Sequence, residues 1–172
     1  MYDNARAGRR AWLGLRVRLL KTGQMSTNTS PEYRRCVLGL LRRAGLRPTR
    51  QRLALGALLF GGPDRHVSAE ILHEEAVAAG ERVSLATIYN TLHQFKRAGL
   101  LRELAIDGTR AYFDTNTSNH NHFFIEKEGR LLDIPGDAVQ IDGLPEPPPG
   151  TRISHIDVVV RLVPDDGTAV DG

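Results

Sequence analysis

Ser84-Leu-Ala-Thr-Ile-Tyr-Asn-Thr-Leu-His-Gln-Phe-Lys-Arg-Ala-Gly99 is the stretch on which the fold turns. Ser84 is a good N-cap, able to accept a hydrogen bond from a first-turn amide. Leu85, Ile88, Leu92 and Phe95 recur at three- and four-residue spacing, so they are predicted to form one buried helical stripe ending at Ala98-Gly99. That leaves Thr87, Tyr89, Asn90, His93, Lys96 and Arg97 on the outer face. A ring and an amide in the N-terminal half are what a recognition helix needs to reach base edges. Asn90 suits an adenine edge, and Tyr89 suits a thymine methyl or a phosphate. The competing reading is a solvated face, to which His93 and His73 are assigned.

The flanks support this. Ser30-Pro31 opens a helix with Cys36, Leu38, Leu40 and Leu41 as apolar surface, ending at Gly45. Thr49 caps a second helix running to about Phe60, and Ser68 caps a third with Ile71, Leu72 and Val77 apolar, ending at Gly80. After Gly99 the period becomes two. Leu100–Ile106, the turn Asp107-Gly108 and Thr109–Asp114 read as a β-hairpin. Short helices followed by a hairpin make a winged helix, within an α+β chain.

Composition sets bounds on function. The chain has 172 residues, 41% hydrophobic and 25% charged, an ordinary soluble balance. Its longest apolar run, Leu53 to Phe60, is too short to span a bilayer. The single cysteine, Cys36, excludes an internal disulfide and any zinc site built from several thiolates. A reduced, cytoplasmic setting is expected. Residues 30–112 carry thirteen basic and eight acidic side chains, whereas 113–172 carry four and eleven. A basic module joined to an acidic one points to different partners for each, nucleic acid for the first. Residues 1–29 are also basic. Arg16 and Arg18 interrupt the apolar stretch there, which argues against an export signal. The segment is read as a disordered basic extension or a start assigned too early, with Met25 the better beginning.

His120-Asn-His122 on an extended chain puts both rings on one face, with Cα atoms about 6.5–7 Å apart. Two imidazoles so placed can converge on one cation. Asp114 precedes the pair and Asp133 follows it, and mixed nitrogen and oxygen ligands suit zinc, manganese or ferrous iron. Spacing alone does not fix where those carboxylates point. His155 lies on an expected strand from Arg152 to Val163, with Ile156, Val158, Val160 and Leu162 buried and His155 opposite. Gly143 to Gly150, with four prolines, is expected to be a loop.

Arg47-Pro-Thr-Arg-Gln-Arg52, His66-Val-Ser-Ala-Glu70, Ser84-Leu-Ala-Thr-Ile-Tyr-Asn-Thr-Leu92, Ala98-Gly-Leu-Leu101 and His120-Asn-His122, in that order, resemble the ferric uptake regulator family. The resemblance covers about residues 33–163. It implies a homodimer, each subunit an N-terminal winged-helix DNA-binding domain with a C-terminal α/β dimerisation domain. It also implies one divalent regulatory ion (Fe2+, Mn2+ or Zn2+) between the domains, held by His66, Asp114, His120, His122 and Asp133. The expected boundaries are 1–29 extension, 30–112 winged helix, 113–163 metal-binding dimerisation domain and 164–172 tail.

Departures also inform. Where relatives carry a first Cys-x-x-Cys pair, this chain has Ile125 and Glu128, and it has no second pair, so a structural thiolate zinc is excluded. A second metal site that leans on residues flanking the His-x-His is expected to be lost, because those residues are Asn119 and Asn121. His155 has only a minor part as a ligand. The segments from His122 and Ile156 are most similar to the iron response regulator subfamily. That implies haem sensing at or near His120 and His122, and a partner that delivers haem. The subfamily's Cys-Pro haem motif is absent, since Val37 follows Cys36, which is read as core.

The expected function is therefore a metal- or haem-responsive DNA-binding regulator of iron homeostasis genes. Arg50, Arg52, Lys96 and Arg97 would contact phosphates, with Thr87, Tyr89 and Asn90 toward the bases. A peroxide sensor using iron-catalysed histidine oxidation is the first alternative. A non-haem iron enzyme is a weaker one, since no separate acid, base or oxyanion motif stands out. A DNA-binding protein without a sensor is the last.

Overall fold

The structure, a computed structural model, describes residues 31–106 and 110–165, with backbone only at 31–33. The basic extension, the Asp107-Gly108 turn and the tail past Asp165 lie outside the described residues. The elements are α1 (Pro31–Arg43), α2 (Arg50–Phe60), β1 (His66–Ser68), α3 (Ala69–Ala78), α4 (Leu85–Arg97), β2 (Arg102–Ala105), β3 (Ala111–Asp114), β4 (His120–Ile125), β5 (Arg130–Pro135), a 3-10 turn (Gly136–Ala138) and β6 (Val159–Leu162). They divide into two compact units, Met1–Ala105 with Thr109–Thr117, and Ile106–Gly108 with Ser118–Gly172.

The first unit is a winged helix. Its helices start where hydroxyl side chains cap them: Thr49, Ser68 and Ser84 accept from the amides of Arg52, Ile71 and Thr87. Each such cap stabilises its helix by about 1 kcal/mol. Helices α3 and α4 end on left-handed Gly80 and Gly99, and the next amide bonds back to Ala76 or Phe95. Glycine adopts that conformation without a Cβ clash. Val37, Leu41, Leu55, Leu59, Leu72, Ile88, Leu92, Phe95, Leu101 and Phe113 make the core.

The buried stripes differ from the sequence pattern in three places. Leu85 is exposed, as the first residue of α4, and Thr91 is buried instead, its hydroxyl donating to the Thr87 carbonyl. Ile71 and Val77 on α3 are exposed, and Leu72 with Ala76 carries the packing. Cys36 is only half-buried, and Val37 with Leu41 faces the core.

The wing is a three-stranded antiparallel sheet in the order β1-β3-β2. Strand β1 is not apparent in the sequence pattern. It pairs His66 with Asp114, Val67 with Phe113 and Ser68 with Tyr112. On the other edge of β3, Arg102 faces Asp114 and Ala105 faces Ala111.

The second unit is a three-stranded sheet in the order β5-β4-β6. Strands β4 and β5 are antiparallel and pair His122 with Asp133, whereas β4 and β6 are parallel and pair His122 with Val159. The expected strand Arg152–Val163 shrinks to Val159–Leu162. His155 lies outside it and, with Ile156 and Val160, is exposed. Strand β6 pairs with His122–Ile125, and the Val158 carbonyl accepts from the His122 amide, so among the described residues the ladder reaches back only to Val158. The proline-rich stretch is an exposed loop, and among the described residues the helical content of this unit is the single 3-10 turn. At Gly136 a Cβ would stand 2.8 Å from the Asn119 carbonyl oxygen, so this turn closes tightly on the start of β4.

Candidate functional site

In the first unit, antiparallel pairing of β1 with β3 makes His66 and Asp114 cross-strand partners. Side chains on directly paired residues share a face. His66 Nε2 lies 3.7 Å from Asp114 Oδ2, and Asp114 is fully buried. The other oxygen, Oδ1, accepts from the Asn116 amide at 2.7 Å, which fixes the carboxylate's rotation. Thr115 secures both strands. Its hydroxyl accepts from the Arg65 amide at 2.9 Å and donates to Asp64 at 3.2 Å, and its amide donates to the Arg65 carbonyl. The Arg65 guanidinium forks onto both Glu75 oxygens, tying β1 to α3.

In the second unit, His120 and His122 stand on one face of β4, ring centroids 4.5 Å apart. Both are buried. Register places Asp133 across from His122, and its Oδ1 lies 3.6 Å from His120 Nε2. His120 Nδ1 lies 3.0 Å from the Ser118 carbonyl, which can only accept, so Nδ1 carries the proton. In the neutral ring, Nε2 then keeps its lone pair, the state in which histidine binds a metal.

These spacings suit a metal. Separations of 3.6–3.7 Å between nitrogen and carboxylate oxygen are long for hydrogen bonds. Two ligand atoms each about 2.0–2.2 Å from one ion in tetrahedral arrangement stand about 3.4 Å apart. Neutral imidazoles with carboxylates form the donor set of zinc, manganese and ferrous iron. The structure thus brings the five predicted ligands into two groups, His66 with Asp114 and His120, His122 with Asp133. His155 pairs instead with Asp157 at 2.9 Å on the exposed loop.

On the outer face of α4, Asn90, Lys96 and Arg97 are exposed, as is Arg50 at the start of α2. Lys96 pairs with Glu103 of β2, and Arg50 lies 3.6 Å from Glu81. Such surface pairs contribute only about 0–1 kcal/mol and exchange readily. Arg52, expected at a phosphate, is engaged within the unit. Its Nε and Nη2 donate to Gln94 Oε1 at 2.9 and 2.7 Å, and Nη1 donates to the Arg47 carbonyl at 2.6 Å. It braces α2 against α4. Thr87 is likewise engaged, its hydroxyl 2.9 Å from that of Ser84 within the cap.

Tyr89 donates its hydroxyl to Glu70 Oε1 at 2.7 Å. That bond, the largest contribution, holds the Glu70 carboxyl below its usual range and pushes the Tyr89 phenol up. The Tyr89 ring also stacks on His93 at 6.4 Å, and His93 meets the Phe113 ring at 5.8 Å. Glu70, Arg65, Glu75 and Thr115 escaped the sequence reading. Each acts across ten or more residues of chain, where no local pattern marks it.

A model of the ferric uptake regulator family matches residues 43–143. The chain belongs to the ferric uptake regulator family. Over 94 residues it is 38% identical to the peroxide-responsive repressor PerR of Staphylococcus epidermidis, a match over 55% of this chain and 62% of that protein. Over 101 residues it is 33% identical to the ferric uptake regulation protein of Shigella flexneri, covering 58% and 68%. The chain thus spans a little under two thirds of the first relative and a little over two thirds of the second. The solved structure of the ferric uptake regulator from Pseudomonas aeruginosa with manganese superposes with a TM-score of 0.57 at 27% identity, over 75% of this chain and 98% of that one. The α+β winged-helix architecture is thus the family's, and the family is one of regulators, not enzymes. Among the described residues, no helix is long and apolar enough to cross a membrane.

Proposed function

We propose that this chain is a homodimeric, cytoplasmic, DNA-binding transcription regulator of iron homeostasis genes, switched by one divalent cation. Residues 30–112 would bind the operator and 113–163 would dimerise. The ion would be Fe2+, Mn2+ or Zn2+, held jointly by His66, Asp114, His120, His122 and Asp133. The observation that carries the reading is the repeated pairing of histidine with aspartate at 3.6–3.7 Å, once in each unit. An ion gripped by both lowers the free energy of one arrangement of the DNA-binding unit over others, and only such differential binding shifts an equilibrium. Asn90 and Tyr89 would read bases, Thr87 would lie on the same DNA-facing side, and Arg50, Arg52, Lys96 and Arg97 would contact phosphates.

The test is an operator-shift titration of the chelator-treated protein with manganese, zinc, ferrous iron and haem in parallel. The expected result is a metal-dependent change in operator affinity and a steep salt dependence. Equal affinity under all conditions would leave a DNA-binding protein without a sensor. Haem gains no further support. His120 and His122 are buried with their rings tilted against each other, which suits a bare ion better than a porphyrin face. Haem and a protein that delivers it therefore rest on the subfamily resemblance alone.

A peroxide sensor is the second reading, favoured by Asp133 and by the similarity to the staphylococcal repressor. Peroxide with bound ferrous iron would then add one oxygen atom to His120 or His66. Mass spectrometry of the treated protein decides this, and unmodified histidine peptides exclude it.

A further inference from the structure

We propose that Glu70 is a positioning residue for base recognition, holding Tyr89 so that its ring edge, not its hydroxyl, meets the DNA. This rests on the DNA-binding reading above. Tyr89 has one hydroxyl hydrogen, and it is given to Glu70 Oε1 at 2.7 Å. A phenol that has donated its hydrogen has none left for a phosphate or a base acceptor. What it still offers is an acceptor oxygen, held at the Glu70 end, and an apolar ring beside the exposed Asn90. The complementary feature in a major groove is the thymine C5-methyl group.

The ring is held at two points. Glu70 fixes its tip from the first turn of α3, and His93 stacks on it from one turn further along α4. His93 is in turn seated against Phe113, with its Nδ1 4.0 Å from Glu103. Glu70 has a second effect. A carboxylate beside the reading face repels phosphates, so it disfavours a pose in which the backbone slides over Tyr89. A charge that opposes DNA binding in general is here placed where it improves the choice of register.

The experiment compares two duplexes, an operator selected by the wild-type protein and the same duplex with every thymine replaced by deoxyuridine. The replacement removes only methyl groups. The full chain is used with manganese present. The wild type is expected to bind the deoxyuridine duplex about tenfold more weakly, in line with loss of an apolar base contact. Glu70→Ala is expected to bring that ratio close to one. Tyr89→Phe, which frees the ring from its tether, should lower it as well. Glu70→Gln, which keeps an acceptor oxygen, should retain most of it. Unchanged manganese affinity in each variant shows that the fold is intact. A wild-type ratio kept in full by Glu70→Ala would overturn the inference while leaving the regulator reading standing, and so would a wild type indifferent to the methyl groups. A wild type that binds no duplex above scrambled DNA would overturn both.

Discussion

The two units place histidine and aspartate side by side with the same device, antiparallel register, but with unequal support. In the first, His66 and Asp114 sit at the edge of a helical core in which Phe95, Phe113, Leu92 and Ile88 are fully buried. In the second, the sheet has three strands, and the buried apolar side chains among the described residues are Ile106, Phe124, Leu131 and Ile134. Leu132 and Val160 there are 39% and 38% exposed, and Ile141, Leu144, Ile153 and Ile156 join them. A small sheet with an apolar face needs packing against something for independent stability. The second calls for cover, which the proposed homodimer would provide.

The sharpest way to break that contrast is a pair of core truncations. Phe95→Ala is expected to cost about 3–5 kcal/mol and Leu131→Ala about 2 kcal/mol, measured by urea unfolding at one protein concentration. Equal losses would show that the two cores are equally developed. Next in size is the metal. His122→Ala removes a buried ligand, and manganese affinity is expected to fall by at least about 100-fold, or about 2.7 kcal/mol. His66→Ala should lose less affinity but abolish the effect of metal on operator binding. Calorimetry and operator shifts read the two effects separately.

A smaller effect tests how the first unit secures its pair. Thr115→Val keeps shape but loses the hydroxyl that joins Arg65 to Asp64. Manganese affinity is expected to fall about tenfold, the lower end of what outer-sphere partners contribute. No change would mean that strand pairing alone suffices.

The smallest expected effect is the pH dependence of the Glu70–Tyr89 bond. Glu70 titrates lower in the fold than when unfolded, so its contribution is present above the ordinary carboxylate range and lost as pH falls through the depressed value. Tyr89 titrates higher, so its contribution is full below the ordinary phenol range and lost as pH rises through the raised value. Arg110 and Ser68 also act on the Glu70 carboxyl, both favouring its charged form. The stability difference between wild type and Tyr89→Phe should therefore be flat near neutrality and shrink at both extremes. A slope between pH 6 and 8 would point to another group.

Legibility in the sequence followed locality. Helix starts were readable because Thr49, Ser68 and Ser84 act on amides three residues away. The Ile88–Leu92–Phe95 stripe was readable for the same reason. Strand β1 was not, because His66-Val-Ser68 is only three residues long and becomes a strand through pairing with residues 112–114. The five ligand types were in view, but the approach of Asp114 to His66 and of Asp133 to His120 depends on that register and on the pairing of β4 with β5. The strand expected over Arg152–Val163 shows the opposite error. Alternation there was real, but among the described residues the pairing with β4 begins only at Val158 and Val159. The bond of Arg52 to Gln94 was equally out of view, because it joins residues 42 apart in the chain.

Glu70 lies four positions after His66, and the three residues between them, Val67, Ser68 and Ala69, are enclosed by strand pairing, a helix cap and the core. The segment has no slack. A displacement of the imidazole end would therefore be passed to the carboxylate end and to the phenol bonded to it.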